Sequence, residues 1–323
     1  QVIALADGEW GIASLEHLAA IFRQFAEEIE RQPPPPGLDE KGIEQYRRAI
    51  AGITGPLYGR AAESVKKAYE KGIALDVTSP VFITVSRGMT RLAPRQYPPA
   101  HYGSADHLKL MGPRLDDIES WRSRISARAT TSSPGADLWV ELGNLEMAAQ
   151  RPRLARLYFE EALARNAKSA AAANNLAVLA LMEGDADEGT QALIRALSQA
   201  EFAGEPKENL ARTYLAYNLF SKALEHLKAL RMRYPEDRAI ATAFAVAELG
   251  AGQVAQARGR LESLGGKNSD DFVLWYNWAV AAALSESEDT RRQGLERLKE
   301  GSASDVGSRQ ALELARSLFE NRR

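Results

Sequence analysis

Histidine and cysteine are the side chains most often used for metal binding and nucleophilic chemistry, and this chain offers few of them. It has no cysteine and four histidines, so disulfides, thiol nucleophiles and thiolate metal sites are excluded. No histidine belongs to the HExxH pattern that places two imidazoles on one face of a helix. His101 and His107 flank Asp106, but ordinary exposed polar residues are the better interpretation of this group. We therefore predict no metal site and no cofactor.

The carboxylates and serines show no catalytic pattern either. Glu160 and Glu161 are adjacent in sequence, as are Asp116 and Asp117, so the members of each pair point in different directions on a helix. General acid–base chemistry needs carboxylates that converge on one reacting atom. No serine lies in the GxSxG context of a nucleophile elbow. The sequence predicts no catalytic residues and a non-catalytic protein, and the alternative is a hydrolase or transferase built around the irregular region that precedes Ala136.

Composition narrows the classes of partner. The 323 residues include 41 Lys+Arg and 43 Asp+Glu, which gives a net charge of −2 rather than the basic balance that nucleic acid favours. No stretch reaches the 18 or so continuous apolar residues that a membrane-spanning helix requires. We predict neither a nucleic-acid partner nor a membrane span. The chain starts at Gln1 rather than at methionine, which is compatible with a preceding signal peptide, lipid anchor or further repeats.

The strongest pattern in the sequence is a period of about 34 residues. Small residues recur at this interval at Gly143, Ala177, Ala211, Ala245 and Ala279. An apolar column precedes it by one position, at Leu142, Leu176, Leu210, Phe244 and Trp278. Each period holds two amphipathic helical stretches, and small residues are needed where the paired helices approach closely. The sequence predicts an array of helix pairs.

The period divides the chain into regions. Five repeats are predicted over residues 136–301, the fifth with an inter-helix turn about three residues longer, and a capping helix over residues 302–323. The stretch "SARATTSSPGAD" makes residues 126–135 the linker candidate. Residues 1–125 are an irregular helical region with a split repeat and a proline-rich insertion at "PPPPG", in which Trp10 takes the place of a repeat's aromatic residue. Helices are expected around residues 43–53, from residue 56 to about 75, and from Pro80 to near Pro94.

Residues 136–301 resemble the tetratricopeptide-repeat superfamily, whose pattern of helix pairs about 34 residues long they share. The resemblance implies an all-α solenoid, a right-handed superhelix whose A helices line a concave groove that binds a protein or peptide. Asn144 and Asn175 also match two asparagines of the family's carboxylate clamp, but Val140 and Glu205 stand where that clamp needs lysines, so we reject a clamp. The predicted partner-binding residues are Asn144, Met147, Asn174, Asn175, Val178, Met182, Glu208, Asn209, Arg212 and Tyr276.

Asparagines give this groove a specific expected chemistry. A carboxamide offers one donor group and one acceptor, which together match one peptide unit. We expect Asn144, Asn175 and Asn209 to bond to the main chain of an extended peptide between the first and third repeats, and we expect these groove-side amides to lie outside the core. Generic consensus residues of the repeat are the alternative interpretation of Asn144 and Asn175.

A second resemblance concerns residues 1–100. The stretches "EWGIASLEHLAAIFRQFAEEI", "PPPPGLDEKGIEQYRRAI" and "GPLYGRAAESVKKAYEKGIAL" resemble periplasmic and outer-membrane repeat proteins of myxobacterial gliding-motility machinery. This resemblance implies an envelope scaffold that is periplasmic or associated with the outer membrane, and a generic cytoplasmic adaptor is the alternative. Neither the partner's identity nor the oligomeric state follows from the sequence.

Overall fold

The computed structural model describes residues 8–104, 108–112, 118–131, 135–200 and 203–320. In these ranges the chain forms helices and no β-strand, as predicted. Contacts between Cα atoms divide the chain into two compact units, one with the residues up to Pro99 and one with residues 100–319. None of the helices described is both long enough and apolar enough to cross a membrane.

The first unit contains three helices, α1 (Gly8–Glu30), α2 (Glu40–Ala74) and α3 (Pro80–Leu92). The prediction of separate helices around residues 43–53 and from residue 56 was wrong, because α2 is one continuous helix of 35 residues with Pro56 inside it. Proline removes one backbone hydrogen bond and crowds the carbonyl four residues earlier. Packing of α2 along α1 compensates for that loss, and the Tyr58 hydroxyl donates to Glu30 of α1 at 2.9 Å.

Trp10 does not have the packing role that the split-repeat interpretation gave it. Its side chain is 66% exposed on α1. The core of this unit is formed by smaller residues of α1 and α2 and by α3, in which Phe82 is fully buried. Gly72 of α2 lies so close to the Phe82 ring that an added Cβ would be 2.3 Å from it. The contact between α2 and α3 therefore depends on a residue without a side chain.

The second unit begins with non-helical residues followed by α4 (Ile118–Thr131). Residues 126–131, which were predicted to be part of a linker, form the last turns of this helix. The physical reason is an apolar contact, because Ile125 is 1% exposed and packs with Leu138 and Leu145 of the next helix. The Ser- and Thr-rich composition of residues 126–135 gives no indication of this contact. Residues 132–134 of the proposed linker lie outside the described ranges.

Five helix pairs follow, and their A helices begin at the constant interval that the sequence predicts. The pairs are α5 (Ala136–Ala148) with α6 (Pro152–Arg165), α7 (Ala170–Glu183) with α8 (Ala186–Gln199), α9 (Gly204–Ala216) with α10 (Phe220–Arg233), α11 (Arg238–Gly250) with α12 (Val254–Ser263), and α13 (Phe272–Ala283) with α14 (Glu288–Glu300). Side-chain caps start several of them, because oxygen acceptors satisfy amide groups that have no partner within the helix. These caps are Ser169, Asp185, Asp237, Asp271 and Ser287.

The predicted columns of small residues lie where the paired helices touch. Ala177, Ala211, Ala245 and Ala279 are each 0% exposed. At Gly143, the first member of the column, an added Cβ would come within 2.2 Å of the Phe159 ring on the paired helix. The close approach of the helices in each pair therefore depends on these positions, since the interior has no space for a larger group.

The inter-helix turn of the fifth pair is shorter than predicted. Its inter-helix turn covers residues 284–287, whereas the turn of the first pair covers residues 149–151. Most of the extra length belongs to the first turn of α14, which Ser287 caps by accepting from the Thr290 amide. Gly294 holds the predicted small position, since an added Cβ would lie 2.5 Å from the backbone nitrogen of Ala283.

The capping helix predicted within residues 302–323 is α15 (Val306–Glu320). Its Ala311, Leu312, Leu314 and Ala315 are buried. Arg316 donates to the carbonyl groups of Leu298, Lys299 and Gly301, which lie at the end of α14. The last helix thus covers apolar surface of the array and also satisfies carbonyls that have no partner within α14.

We expect Ala211→Leu to lower the free energy of unfolding by about 1–3 kcal/mol, because the added atoms have no space between α9 and its neighbours. Urea denaturation followed by circular dichroism measures the change. Ala255→Leu on the exposed face of α12 adds the same atoms in solvent and serves as the matched control. Equal unfolding midpoints for the two variants would contradict this assignment of the packing positions.

Candidate peptide-binding groove

Residues of this chain itself occupy the surface lined by the A helices. We call residues 100–104 and 108–112 the groove segment, and both parts are non-helical. Its His101 contacts α13 of the fifth repeat, its Lys109 contacts α9 and α7, and its Met111 contacts α7 and α5. The groove segment therefore runs against the order of the repeats, from the fifth to the first, before α4 and α5 follow.

At the fifth repeat, one asparagine holds the groove segment by both of its polar groups. The His101 amide donates to Asn277 Oδ1 at 2.9 Å, and Asn277 Nδ2 donates to the His101 carbonyl at 2.6 Å. Asn277 is 0% exposed. Its carboxamide replaces the neighbouring strand that an extended chain would have in a sheet.

The same pairing occurs at the third repeat. The Lys109 amide donates to Asn209 Oδ1 at 2.7 Å, and Asn209 Nδ2 donates to the Lys109 carbonyl at 2.8 Å. Asn174 Nδ2 of the second repeat donates to the same carbonyl at 2.9 Å. Both lone pairs of this carbonyl are thus engaged, and Asn174 and Asn209 are both 0% exposed.

Met111 is held between the second and first repeats. Its amide donates to Asn175 Oδ1 at 2.7 Å, and its carbonyl accepts from Asn175 Nδ2 at 3.0 Å and from Asn144 Nδ2 at 2.9 Å. Asn175 Nδ2 also donates to Asn144 Oδ1 at 2.7 Å. Asn174 links this end to the third repeat, because its Nδ2 donates to Asn175 Oδ1 and its Oδ1 accepts from Asn209, both at 3.0 Å.

We call these five side chains, Asn144, Asn174, Asn175, Asn209 and Asn277, the asparagine ladder. The expectation that Asn144, Asn175 and Asn209 lie outside the core was wrong, because the exposed fractions of all five side chains are between 0% and 4%. A buried carboxamide needs partners for its donor and its acceptor. The groove segment and the neighbouring asparagines supply those partners, so the ladder and the segment complete one hydrogen-bond network.

A charged cluster borders the ladder at the third repeat. Lys109 Nζ lies 2.6 Å from Glu208 Oε2, and Arg212 Nη2 donates to Glu208 Oε1 at 2.8 Å. The Arg212 side chain also donates to the Tyr102 hydroxyl at 2.9 Å, so it contacts the groove segment as well. Burial of Arg212 opposes its charge, but Tyr102 and the Glu208 carboxylate raise the pKa of its guanidinium overall. Two cations therefore share the Glu208 carboxylate, whose side chain is 5% exposed.

Gly112 ends the described part of the groove segment in a conformation that favours glycine. Its φ is +119°, and an added Cβ would lie 2.6 Å from Asn144 Nδ2. Side chains rarely adopt this φ, and the close approach leaves no space for one. The contact between Met111 and the first repeat therefore depends on the glycine that follows it.

The other predicted partner-binding residues have different positions. Val178 is 2% exposed, and Met147 is partly buried against the core of the first two repeats. Met182 is 63% exposed at the end of α7, on the helix that carries Asn174 and Asn175. Tyr276 is fully buried and its hydroxyl donates to the Ala311 carbonyl of α15 at 3.0 Å, so its predicted place in an open groove was wrong. A tyrosine with an apolar ring and one donor suits that buried contact with the capping helix.

Sequence reasoning missed Asn277 and the groove segment. A signal for Asn277 was present, because it lies in the same repeat column as Asn175 and Asn209, which has Ala243 in the fourth repeat. No comparable signal marks the groove segment, since its partners are 33 to 207 residues away in sequence. Near the fourth repeat, a cavity of about 900 Å³ lies between α11, α13 and the groove segment.

The His101 ring lies between α13 and α15, and its Nε2 is 3.4 Å from Ser308 Oγ. The His101 ring packs edge-on against Phe272 at 5.7 Å between centroids, and Asp106 and His107 lie outside the described residues. In the part of the chain that the structure describes, no three His, Cys, Asp or Glu side chains form a group that could hold a metal ion. What the groove assembles instead is a set of donors and acceptors directed at main chain.

Helix pairs that repeat at a constant interval around columns of small residues define the architecture of the second unit. The fold is a tetratricopeptide-repeat fold. No family model matches the chain, and no curated protein matches it. Its similarity to solved structures concerns this arrangement of helices.

Three solved structures illustrate the similarity. YrrB, described as a TPR protein with an unusual peptide-binding site, shares 15% identity over 64% of this chain and 95% of its own, with a TM-score of 0.48. PilF of Pseudomonas aeruginosa shares 16% identity over 73% of this chain and 96% of its own, with a TM-score of 0.47. A tetratricopeptide repeat protein from Parabacteroides merdae shares 14% identity over 84% of this chain and 98% of its own, with a TM-score of 0.36.

We expect Asn175→Ala to lower the free energy of unfolding by about 1–3 kcal/mol, because the Met111 main chain and Asn144 lose their partner in a buried place. The measurement is urea denaturation, together with hydrogen exchange at the Met111 amide, which should become faster. Asn268→Ala at an exposed position is the matched control, with an expected change within about 0.5 kcal/mol. Equal unfolding midpoints and unchanged exchange would contradict a structural role for the ladder.

The charged cluster should respond asymmetrically to truncation. Glu208→Ala leaves the buried Arg212 without its carboxylate and should cost about 3–5 kcal/mol of unfolding free energy. Lys109→Ala removes a side chain that is 44% exposed and should cost about 0–1 kcal/mol. Chemical denaturation of both variants measures the difference, and similar costs would show that Arg212 does not depend on Glu208.

Proposed function

We propose that this chain is a non-catalytic scaffold whose groove binds extended segments of partner proteins by their main chain. The observation that carries the proposal is the paired bonding of Asn175, Asn209 and Asn277 to the N–H and C=O of single residues. In an extended chain, residues i and i+2 present both groups to the same edge. Lys109 and Met111 have this spacing, so the ladder fits the edge of any extended segment with accessible main-chain groups.

Main-chain contacts of this kind tolerate different partner sequences. Each carboxamide pairs with groups that every residue except proline carries. Side-chain selection then falls to the few charged and apolar groups that border the ladder, such as Glu208 and Val178. A groove with these properties suits a protein that holds one or more partners in place, and its polar groups serve binding rather than bond rearrangement.

The alternative is an enzyme built around the irregular region that precedes Ala136, and it requires polar groups that converge on one reacting atom. The buried polar side chains in the described part of the first unit carry hydroxyl groups. Ser64 Oγ donates to the Arg60 carbonyl at 2.9 Å, and Thr90 Oγ1 donates to the Ser86 carbonyl at 3.2 Å. Such bonds satisfy hydroxyl groups within packed helices.

A periplasmic or outer-membrane-associated location stays a prediction that rests on the resemblance of residues 1–100. We include it in the proposal as the compartment of the scaffold. Fractionation of cells that carry the native gene with a C-terminal epitope tests it, and recovery of the tagged protein with cytoplasmic markers would contradict it.

A photo-crosslinking amino acid in place of Met182 tests the proposed groove. We expect it to capture a partner in cells, because Met182 is 63% exposed on α7, the helix that carries Asn174 and Asn175. Met232 on α10 is 87% exposed and provides the matched control on a B helix. Mass spectrometry of the crosslinked species, followed by binding of the purified partner to both variants, measures the outcome.

The same experiment identifies other binding surfaces. A partner that crosslinks at position 232 and not at position 182 would contradict the groove and indicate the B-helix face. If neither position captures a partner, the exposed proline-rich connection between α1 and α2 becomes the next position to substitute, with the crosslinker at Leu38, which is 40% exposed. Capture there alone would also contradict the proposed groove.

A further inference from the structure

We propose that the groove segment is a built-in competitor whose residues 108–112 define the pattern that a partner must carry, a basic residue followed three positions later by glycine. The inference rests on the proposed function and specifies its partner and its regulation. A partner with this pattern takes the place of residues 108–112 on the first three repeats. The contact between His101 and Asn277 at the fifth repeat does not have to break.

The basic residue of the pattern follows from the charge at the third repeat. Glu208 is nearly buried and accepts from Arg212 on one oxygen, while its other oxygen faces Lys109 Nζ at 2.6 Å. A partner with an acidic side chain at this position would bring two carboxylates together in a partly buried place. A lysine or arginine preserves the arrangement, and the main chain of that same residue reaches Asn209 and Asn174.

The glycine of the pattern follows from the geometry at the first repeat. Met111 contacts Asn175 and Asn144 through its main chain. The backbone at the next residue must therefore change direction immediately beside Asn144. Gly112 does so at a φ of +119°, with Asn144 Nδ2 2.6 Å from the place of a Cβ. Any other residue at this position both strains the backbone and displaces Asn144. The basic residue and the glycine are therefore fixed by the groove at a separation of three positions.

The groove segment can be exchanged for a partner because the bonds it makes are available to any extended chain. Its contacts at the ladder are to main-chain groups, and the Lys109 side chain remains 44% exposed. Replacement of one extended segment by another thus leaves the number of hydrogen bonds almost unchanged. The groove segment has the advantage of being on the same chain, which corresponds to an effective concentration on the order of millimolar. A partner's apparent affinity falls by the fraction of molecules in which the groove is free.

The test measures binding of a fluorescent peptide, Ala-Ala-Leu-Lys-Leu-Met-Gly-Ala-Ala, to full-length protein by fluorescence polarisation. The release variant combines Lys109→Glu with Gly112→Val, which weakens the contacts of the groove segment and substitutes no residue of the groove walls. We expect this variant to bind the peptide at least tenfold more tightly than the parent protein does. Lys228→Glu, an exposed charge change on α10, is the matched control and should bind like the parent.

Peptide variants test the pattern itself on the release variant. Replacement of the peptide's lysine by glutamate, or of its glycine by valine, should weaken binding at least tenfold. Replacement of the lysine by arginine should change binding less than threefold. Equal binding of the lysine and glutamate peptides would overturn the pattern, and equal binding to parent and release variant would overturn the competition.

Circular dichroism and a thermal melt establish that the release variant is folded. If the double change prevents folding, Lys109→Glu alone replaces it, since that side chain is partly exposed and the glycine conformation is kept. A folded release variant that binds no peptide overturns this inference. Crosslinking at Met182 addresses the proposed function separately, because a partner captured there without the basic and glycine pattern would leave the scaffold proposal standing and reject the competitor.

Discussion

The second unit depends on hydrogen bonds between asparagine side chains and an extended segment of main chain. His101, Lys109 and Met111 are neither helical nor paired in a sheet, yet their amide and carbonyl groups point into a packed groove. Main-chain groups in such a place must be bonded, or their desolvation costs free energy. The carboxamides of the ladder satisfy them, and the groove segment in turn satisfies the carboxamides. Neither half of this network is stable in a buried place without the other.

Packing of small residues determines whether the ladder can form. Gly143 and the alanines at the same position of the later repeats let each pair of helices approach closely, as the contact between Gly143 and Phe159 shows. The A helices then start at equal intervals of sequence, and asparagines in one repeat position face the same side of the array. Asn175 and Asn209 can therefore reach main-chain groups two residues apart on one extended segment. A shifted helix pair would move one asparagine away from its main-chain group, so the hydrogen bonds of the groove depend on the packing of the core.

Periodicity predicted the part of the fold that is local in sequence. It did not predict contacts between residues that are distant in sequence, or the helix α2 that continues through Pro56. The helix pairs and the capping helix were predicted because each repeat carries its own apolar pattern. Asn144, Asn175 and Asn209 were expected to bond to the main chain of a partner peptide, and in the structure they bond to the main chain of the groove segment. That this main chain belongs to the same molecule was not predictable, because nothing in "HLKLMG" encodes a partner 100 residues away. The predictions for α2 and Tyr276 failed for the same reason, since packing against other helices determines both the continuity of α2 and the burial of Tyr276.

The burial of the ladder also determines which states of the groove are accessible. Five carboxamides with exposed fractions of at most 4% cannot be left without partners, so removal of the groove segment requires water or another chain to enter. Water satisfies the amides only if the groove opens, and opening exposes the apolar neighbours such as Val178. Another extended segment satisfies the amides without that cost. The physical chemistry of the ladder thus favours exchange between segments over an empty groove, and the occupied state in the structure is the expected ground state of a site that binds main chain.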